Sequence, residues 1–234
     1  SKKVAGIAIA PMDPDMFDNK VREAKEAGIP VVTFDADVNT KSNRIAYIGT
    51  DNKLAGEQLG ENGARELKEK GITSGEIALV AVNLTQTTMT YRQEGIKKGF
   101  ENVMGDDAKN FKWLEGIQDN DLSSVSKQQL EGQIVANPGM VAVFSLGSEG
   151  PDTGVMEAIK TQGKGGEIYH FGFDYTTTWE NGIDDQLITG IVDQDSYAIG
   201  KKIIEVLDKE IKGETVEENY PVEVKWIKAN EIVD

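Results

Sequence analysis

Residues 27–37 read AGIPVVTFDAD and residues 45–61 read IAYIGTDNKLAGEQLGE. In the first stretch a glycine suited to closing a helix precedes an apolar run, Ile29–Phe34, that ends in an aspartate. In the second, the run Ile45–Ile48 passes through Thr50-Asp51-Asn52 into a helical pattern that continues to Lys70 and stops at Gly71. Both runs are continuous rather than alternating, which suits strands covered on both faces, as in parallel sheets. The pattern recurs along the chain. Further strand-like runs lie at Val4–Ala10, Ile77–Val82, Lys112–Ile117, Val141–Ser145, Ile168–Phe173, Ile188–Val192 and Val222–Ile227. Helical stretches lie between them, at Met16–Ala27, Thr90–Val103, Leu122–Ala136, Asp152–Gln162 and Ser196–Lys212. Strand–helix alternation at this spacing predicts an α/β fold with parallel sheets flanked by helices. No fixed-period repeat or low-complexity linker interrupts it.

Composition narrows the function. The 234 residues are 38% hydrophobic and 28% charged, an ordinary globular balance that excludes a disordered or collagen-like chain. Twenty-five basic residues face 40 acidic ones, and a net charge of -15 repels a phosphate backbone or an anionic lipid surface. No nucleic-acid partner is expected. The absence of cysteine removes disulfides, CxxC zinc sites and cysteine nucleophiles, without fixing the compartment. The longest apolar run, Val4–Ala10, falls far short of the ~20 residues that span a bilayer. Ser-His-Asp order, HExxH and GxxxxGK[ST] are missing, so the main hydrolase, zinc and P-loop readings lack their residues. The lone histidine, His170, lies inside a strand-like run and reads as a core residue. Neither cofactor nor metal is implied.

In open α/β sheets, ligands bind where strand carboxyl ends meet loops and helix starts. Here those ends carry Asp35, Asp174, Asp193 with Gln194, and Asn83 followed by a Thr-rich turn (Thr85, Thr87, Thr88) that leads to Arg92. Another end carries Gly147, Ser148 and Glu149. An aspartate after a strand also serves as a turn or cap residue. Its recurrence at strand end after strand end points to a polar ligand.

The stretches GIAIAPMDPD (6–15), AGIPVVTFDAD (27–37), IAYIGTDNKLAGEQLGE (45–61), YRQEGIKKGF (91–100), ANPGMVAVFS (136–145), HFGFDYT (170–176), GIVDQDSYAIGKK (190–202) and YPVEVK (220–225) resemble the type I periplasmic sugar-binding proteins, the ribose-binding-protein-like substrate receptors of ABC importers. The similarity covers essentially the whole chain. It implies a two-lobed periplasmic-binding-protein type I fold, with 1–50 and 195–220 in the first lobe and 51–194 and 221–234 in the second. It also implies non-enzymatic binding of a small sugar or cyclitol between the lobes, with a membrane permease as partner. The implied location is periplasmic or extracellular, with a signal peptide removed or a lipid anchor in the full-length protein. Members of the group carry two strand–helix units before the segment matching GIAIAP. Their absence here implies an incomplete first lobe, whose open edge would be completed by a separate N-terminal segment or a second copy.

By the same resemblance, Asp35 and Asp174 match aspartates that accept hydrogen bonds from sugar hydroxyls, a role suited to a carboxylate's four lone-pair sites. Arg92, at RxxG spacing from Gly95, matches a guanidinium contact, and Gln194 a hinge-proximal amide. The group often places arginine directly after the first aspartate. Here Ala36 and Asp37 follow. Its usual Asn-Asp pair after the AVF strand is replaced by SLGSEGPDTG, leaving Ser148 or Glu149 as the substitute. Asn120 and Asp121 fall in a pocket loop where an aromatic is frequent. Alternatives on the same architecture are the sugar-sensing domain of a kinase or chemoreceptor, the effector-binding core of a LacI-type repressor, and an enzyme on a flavodoxin-like fold.

Overall fold

The computed structural model describes residues 4–11, 13–147 and 149–231. The chain divides into two compact units: Ser1–Asp51 with Gln194–Glu223, and Asn52–Asp193 with Val224–Asp234. It therefore crosses between units three times.

The first unit holds a four-stranded parallel sheet in the order β1 (Ile7–Ile9), β2 (Val31–Phe34), β3 (Ala46–Gly49), β10 (Asn219–Pro221). Successive residues of a strand face opposite sides, and β2 uses both. Val31 packs with Val21, Phe17 and Ala24 of helix α1 (Pro14–Glu26). Val32 packs with Ile203, Val206 and Ile199 of helix α7 (Ser196–Ile211). This double covering is why the sequence run is continuously apolar. Helix α1 starts where Asp13 accepts a hydrogen bond from the Met16 N–H at 3.0 Å, with Pro14 in the first turn, where its missing N–H costs nothing.

The second unit holds a larger sheet in the order β11 (Lys225–Lys228), β9 (Gly190–Asp193), β8 (Tyr169–Phe173), β7 (Met140–Ser145), β4 (Gly75–Ala81), β5 (Phe111–Trp113), with β6 (Ile117–Gln118) also paired to β4. All pairings are parallel except β11 with β9. One face is covered by α2 (Asn52–Glu69) and α3 (Thr87–Met104), the other by α4 (Ser123–Ala136), α5 (Glu149–Thr161) and the short α6 (Thr177–Glu180). Strand β4 again alternates, with Ile77, Leu79 and Ala81 in one core and Ala78 and Val80 in the other.

Helices α2 and α3 meet backbone to backbone through reciprocal glycines. A Cβ added at Gly56 or Gly60 would lie 2.4 or 2.1 Å from the carbonyl oxygen of Arg92 or Ile96. One added at Gly95 or Gly99 would lie 2.1 Å from that of Lys53 or Glu57. No side chain larger than hydrogen fits this crossing.

Two expected strands are divided. The run Lys112–Ile117 breaks at Leu114–Gly116 into β5 and β6. The run Val222–Ile227 is shared between units: β10 ends at Pro221, with the Val222 N–H donating a last bond to Gly49 O at 3.0 Å, and β11 begins at Lys225 in the other sheet, antiparallel. Helix α6 has too few residues to leave a periodic signal. No helix among the described residues is long and apolar enough to cross a membrane.

Candidate functional site

Strands β9, β8, β7, β4 and β6 run the same way, so their carboxyl ends form one row along an edge of the second unit's sheet. That row carries Asp193, Asp174, Leu146–Gly147, Val82–Asn83 and Asn120–Asp121. Neighbouring strands lie about 4.8 Å apart, so Asp174 and Asn120, three strands distant, are separated by roughly 14 Å along the edge.

Of the six described non-glycine residues with positive φ, five follow the ends of such parallel strands: Asp35 (61°), Asn120 (52°), Asp121 (63°), Asp174 (61°) and Asp195 (50°). Left-handed backbone is unfavourable for a residue with a Cβ and is tolerated best by Asp and Asn. Asp174 continues the ladder, its N–H donating to Val192 O at 2.9 Å, before the chain turns away. Asp35 does the same in the first unit, donating to Ile48 O at 3.2 Å. Asp195 uses the turn to cap α7, accepting from the Ala198 N–H at 2.9 Å.

Arg92, on α3, is buried and held from three elements. Its Nε donates to Asn52 Oδ1 at 2.8 Å, its Nη1 donates to Leu146 O at 2.7 Å, and its guanidinium lies 4.0 Å over the ring of Phe173. Phe173 immediately precedes Asp174, so the structure brings Arg92 beside the end of β8. Gly147 (φ 112°) makes room for it, since a Cβ there would approach Nη1 to 2.4 Å.

Asn120 and Asp121 close β6, the Asn120 N–H donating to Val82 O at 3.0 Å. Asp119 behind them is fully buried. Its Oδ1 accepts from the Asp121 N–H at 2.9 Å, and burial raises its pKa. Thr85 belongs to a local turn, both its N–H and hydroxyl donating to Asn83 Oδ1, while Thr87 and Thr88 open α3. Glu149 begins α5 and accepts from the Thr178 hydroxyl at 2.8 Å. Ser148 lies outside the described residues.

Asp35 and Gln194 belong to the first unit. The Tyr47 hydroxyl donates to Asp35 O at 3.0 Å, and Gln194 is buried. Asp37 is a structural residue. It forms a two-pronged pair with the buried Arg44 (Nε–Oδ1 2.9 Å, Nη2–Oδ2 2.8 Å) and accepts from Thr33 Oγ1 at 2.6 Å. Arg44 Nη1 in turn donates to Glu218 O at 2.8 Å, so the pair ties the β2–β3 loop to the start of β10.

One step behind the row, the second unit buries a polar chain that the sequence does not announce. Ser145 hydrogen-bonds Asp152 Oδ1 and lies 2.8 Å from His170 Nε2, and the His170 ring stacks on Trp179 at 4.9 Å. All four residues are buried. The serine, not the histidine, is the central member, and His170 Nε2 stands 4.0 Å from Asp152. This order, sealed from solvent, is that of a structural network rather than a nucleophile–base–acid relay. Asp152, at the start of α5, therefore packs inward instead of serving only as a helix-start residue. Burial raises its pKa well above the ordinary value, with the nearby charges of Asp174 and Asp119 adding to the effect. The Trp179 indole N–H lies close to the same carboxyl, but neither it nor Oδ2 makes a well-aligned hydrogen bond. Burial pushes His170 down to about 3, so it is neutral.

The sequence reading missed Asn52 and Phe173 as partners of Arg92. Asn52 gave a signal only as the first helical residue after the Thr-Asp turn.

Comparison with known proteins gives the family. Residues 1–215 match the periplasmic binding protein domain. The ribose import binding protein of Salmonella typhimurium is 30% identical over 225 residues, covering 94% of this chain and 70% of that protein, and its Escherichia coli K12 counterpart is 29% identical over the same length. An ABC-transporter solute-binding protein from Agrobacterium vitis, solved with D-fucose, is 27% identical, with a TM-score of 0.82 over 99% of this chain and 77% of its own. One from Burkholderia graminis, solved with D-arabinose, is 25% identical, with a TM-score of 0.85 over 98% of this chain and 77% of its own. The chain belongs to the periplasmic binding protein family.

Proposed function

We propose that this chain is the substrate receptor of an ABC importer, a non-enzymatic binder of a small sugar or cyclitol that works outside the cytoplasmic membrane with a permease as partner. The observation that carries this reading is the guanidinium of Arg92 caged against Phe173, immediately beside Asp174 at a strand's carboxyl end. A fixed guanidinium fork beside an acceptor-only carboxylate is complementary to adjacent hydroxyl and ring oxygens. Relatives that bind ribose, arabinose or fucose by name support the class. The polar contacts in this reading are Arg92, Asp174, Asn120, Asp121 and Ser148 of the second unit, with Asp35 and Gln194 of the first. In this reading the two units correspond to the two lobes, and the permease recognises the sugar-loaded protein.

Calorimetric titration of the full chain with D-ribose, D-arabinose, D-allose, D-fucose and an inositol tests it. Binding of one of them, lost in Asp174→Ala, is the expected result. No heat from any of the five refutes the reading.

A further inference from the structure

We propose that Asn52 and Asp193, the residues at which the chain enters and leaves the second unit, are positioning residues for its sugar-binding groups, Asn52 for Arg92 and Asp193 for the loop that carries Asp174. The inference rests on the sugar-binding reading of Arg92 and Asp174.

The boundaries between the units fall at Asp51/Asn52, Asp193/Gln194 and Glu223/Val224. At the first, Asn52 Oδ1 accepts from Arg92 Nε at 2.8 Å across 40 residues of sequence. At the second, Asp193 Oδ1 accepts from the N–H of Tyr175, the residue after Asp174, at 3.2 Å. So two crossings are each wired by one side-chain acceptor to a proposed ligand group.

The surroundings make these bonds directional. Arg92 is 3% exposed, and rotation of its guanidinium would break the Nη1 bond to Leu146 O and leave the ring of Phe173. Asn52 thus holds the guanidinium at Nε while Leu146 O holds it at Nη1. The glycine crossing of α2 and α3 keeps donor and acceptor in register, since a Cβ at Gly56 would already lie 2.4 Å from Arg92 O. Asp193 ends β9, whose ladder with β8 pairs Val192 with Phe173. Its carboxylate then bridges from that ladder into the turn whose first residue is Asp174, held at φ 61°.

The test uses the full chain and whichever of D-ribose, D-arabinose, D-allose and D-fucose it binds. Removing a hydrogen bond to a charged group should weaken binding about tenfold, so Asn52→Ala is expected to lose that much. Asn52→Asp, which keeps the acceptor, is expected to stay within about threefold of the parent. Asn52→Ser keeps a small polar residue at the first position of α2 but is too short to reach Arg92 Nε. It should bind as weakly as the alanine variant, and parental affinity in it would overturn the role of Asn52. Asp193→Ala should lose about fivefold and Asp193→Asn should recover it. Equal loss in both would assign Asp193 to direct contact instead. Hydrogen exchange of the Arg92 Nε–H by NMR gives a readout that needs no sugar: slow in the parent and in Asn52→Asp, fast in Asn52→Ala and Asn52→Ser. Equal exchange in all four would overturn the positioning bond. Protected exchange with no sugar binding would leave the bond standing and refute the receptor reading alone.

Discussion

Acidification from pH 8 to pH 4 charges a free histidine, and the burial of His170 predicts that the folded protein resists it. The ring is enclosed at zero exposure, stacked on Trp179 and hydrogen-bonded to Ser145, and burial lowers its pKa from the ordinary 6.5 to about 3. Between those values the unfolded chain binds a proton that the folded one refuses. Stability from this group is therefore complete above pH 6.5 and is lost as pH falls toward 3. The slope is about 1.4 kcal/mol per pH unit, so the loss between pH 6.5 and 4.5 approaches about 2.7 kcal/mol. Asp152 acts with the opposite sign. Its raised pKa means that the folded state binds the extra proton above pH 3.8, which stabilises the fold as pH falls. The His170 contribution is therefore isolated in an Asp152→Asn background, comparing His170 with His170→Leu by urea unfolding from pH 4.5 to 8. The stability difference should be constant above pH 6.5 and shrink at about that slope below it. Because the chain has a single histidine, its ring Cε1–H gives one assignable proton resonance, which should not titrate above pH 4.5 in the folded protein. A midpoint near 6.5, or a stability difference that stays flat below pH 6.5, would refute the neutral buried network.

Three further outcomes follow from contacts already described. Arg92→Ala should weaken sugar affinity at least about tenfold without loss of fold, measured by calorimetry and circular dichroism. Gly60→Ala forces a methyl to within 2.1 Å of Ile96 O and should cost about 1–3 kcal/mol or more in urea unfolding. Gly132→Ala, on α4 with open space around it, should gain about 0.5–1 kcal/mol. Asp37→Ala strands the buried Arg44 guanidinium and should cost about 3–5 kcal/mol by the same measurement, whereas a surface pair such as Lys20–Glu23 should tolerate loss of either partner within about 1 kcal/mol.

The alternation of apolar runs with helical periodicity made the sheets legible because each strand is covered on two faces, so both of its residue sets are apolar. The site row was legible for a related reason: a strand buried to its last residue shows its end as an abrupt change to Asp or Asn, as at Phe34–Asp35 and Phe173–Asp174. What stayed hidden was tertiary. Asp37 and Asp35 look alike in TFDAD, yet one pairs inward with Arg44, seven residues on, and only the other takes the strand-end position. Asp152 looked like a helix-start residue because that position is acidic in many helices. Ser145, which joins the three, lies 7 residues from Asp152 and 25 from His170, and no local pattern links them. Lys112–Ile117 and Val222–Ile227 read as single strands because periodicity counts apolar residues and does not reveal which ladder they join.

The left-handed turn at Asp174 separates what the fold needs from what the ligand needs. A residue with a Cβ at φ 61° carries strain of order 1 kcal/mol, and glycine carries none. Glycine also loses about 0.5–1 kcal/mol more backbone entropy on folding. The two terms nearly cancel, so Asp174→Gly should leave urea stability within about 1 kcal/mol of the parent. Asp174→Val keeps the strain and adds a β-branched side chain that suits the left-handed region poorly, and it should be less stable than the glycine variant by about 1 kcal/mol or more. Both variants remove the carboxylate, and both should lose sugar binding. A glycine variant that folds normally and binds nothing would show that the turn tolerates glycine and that aspartate is present for its carboxylate. If Asp174→Gly instead unfolds more than about 2 kcal/mol too easily, the carboxylate is holding the β8 loop in place, and its assignment as a ligand group loses its physical basis.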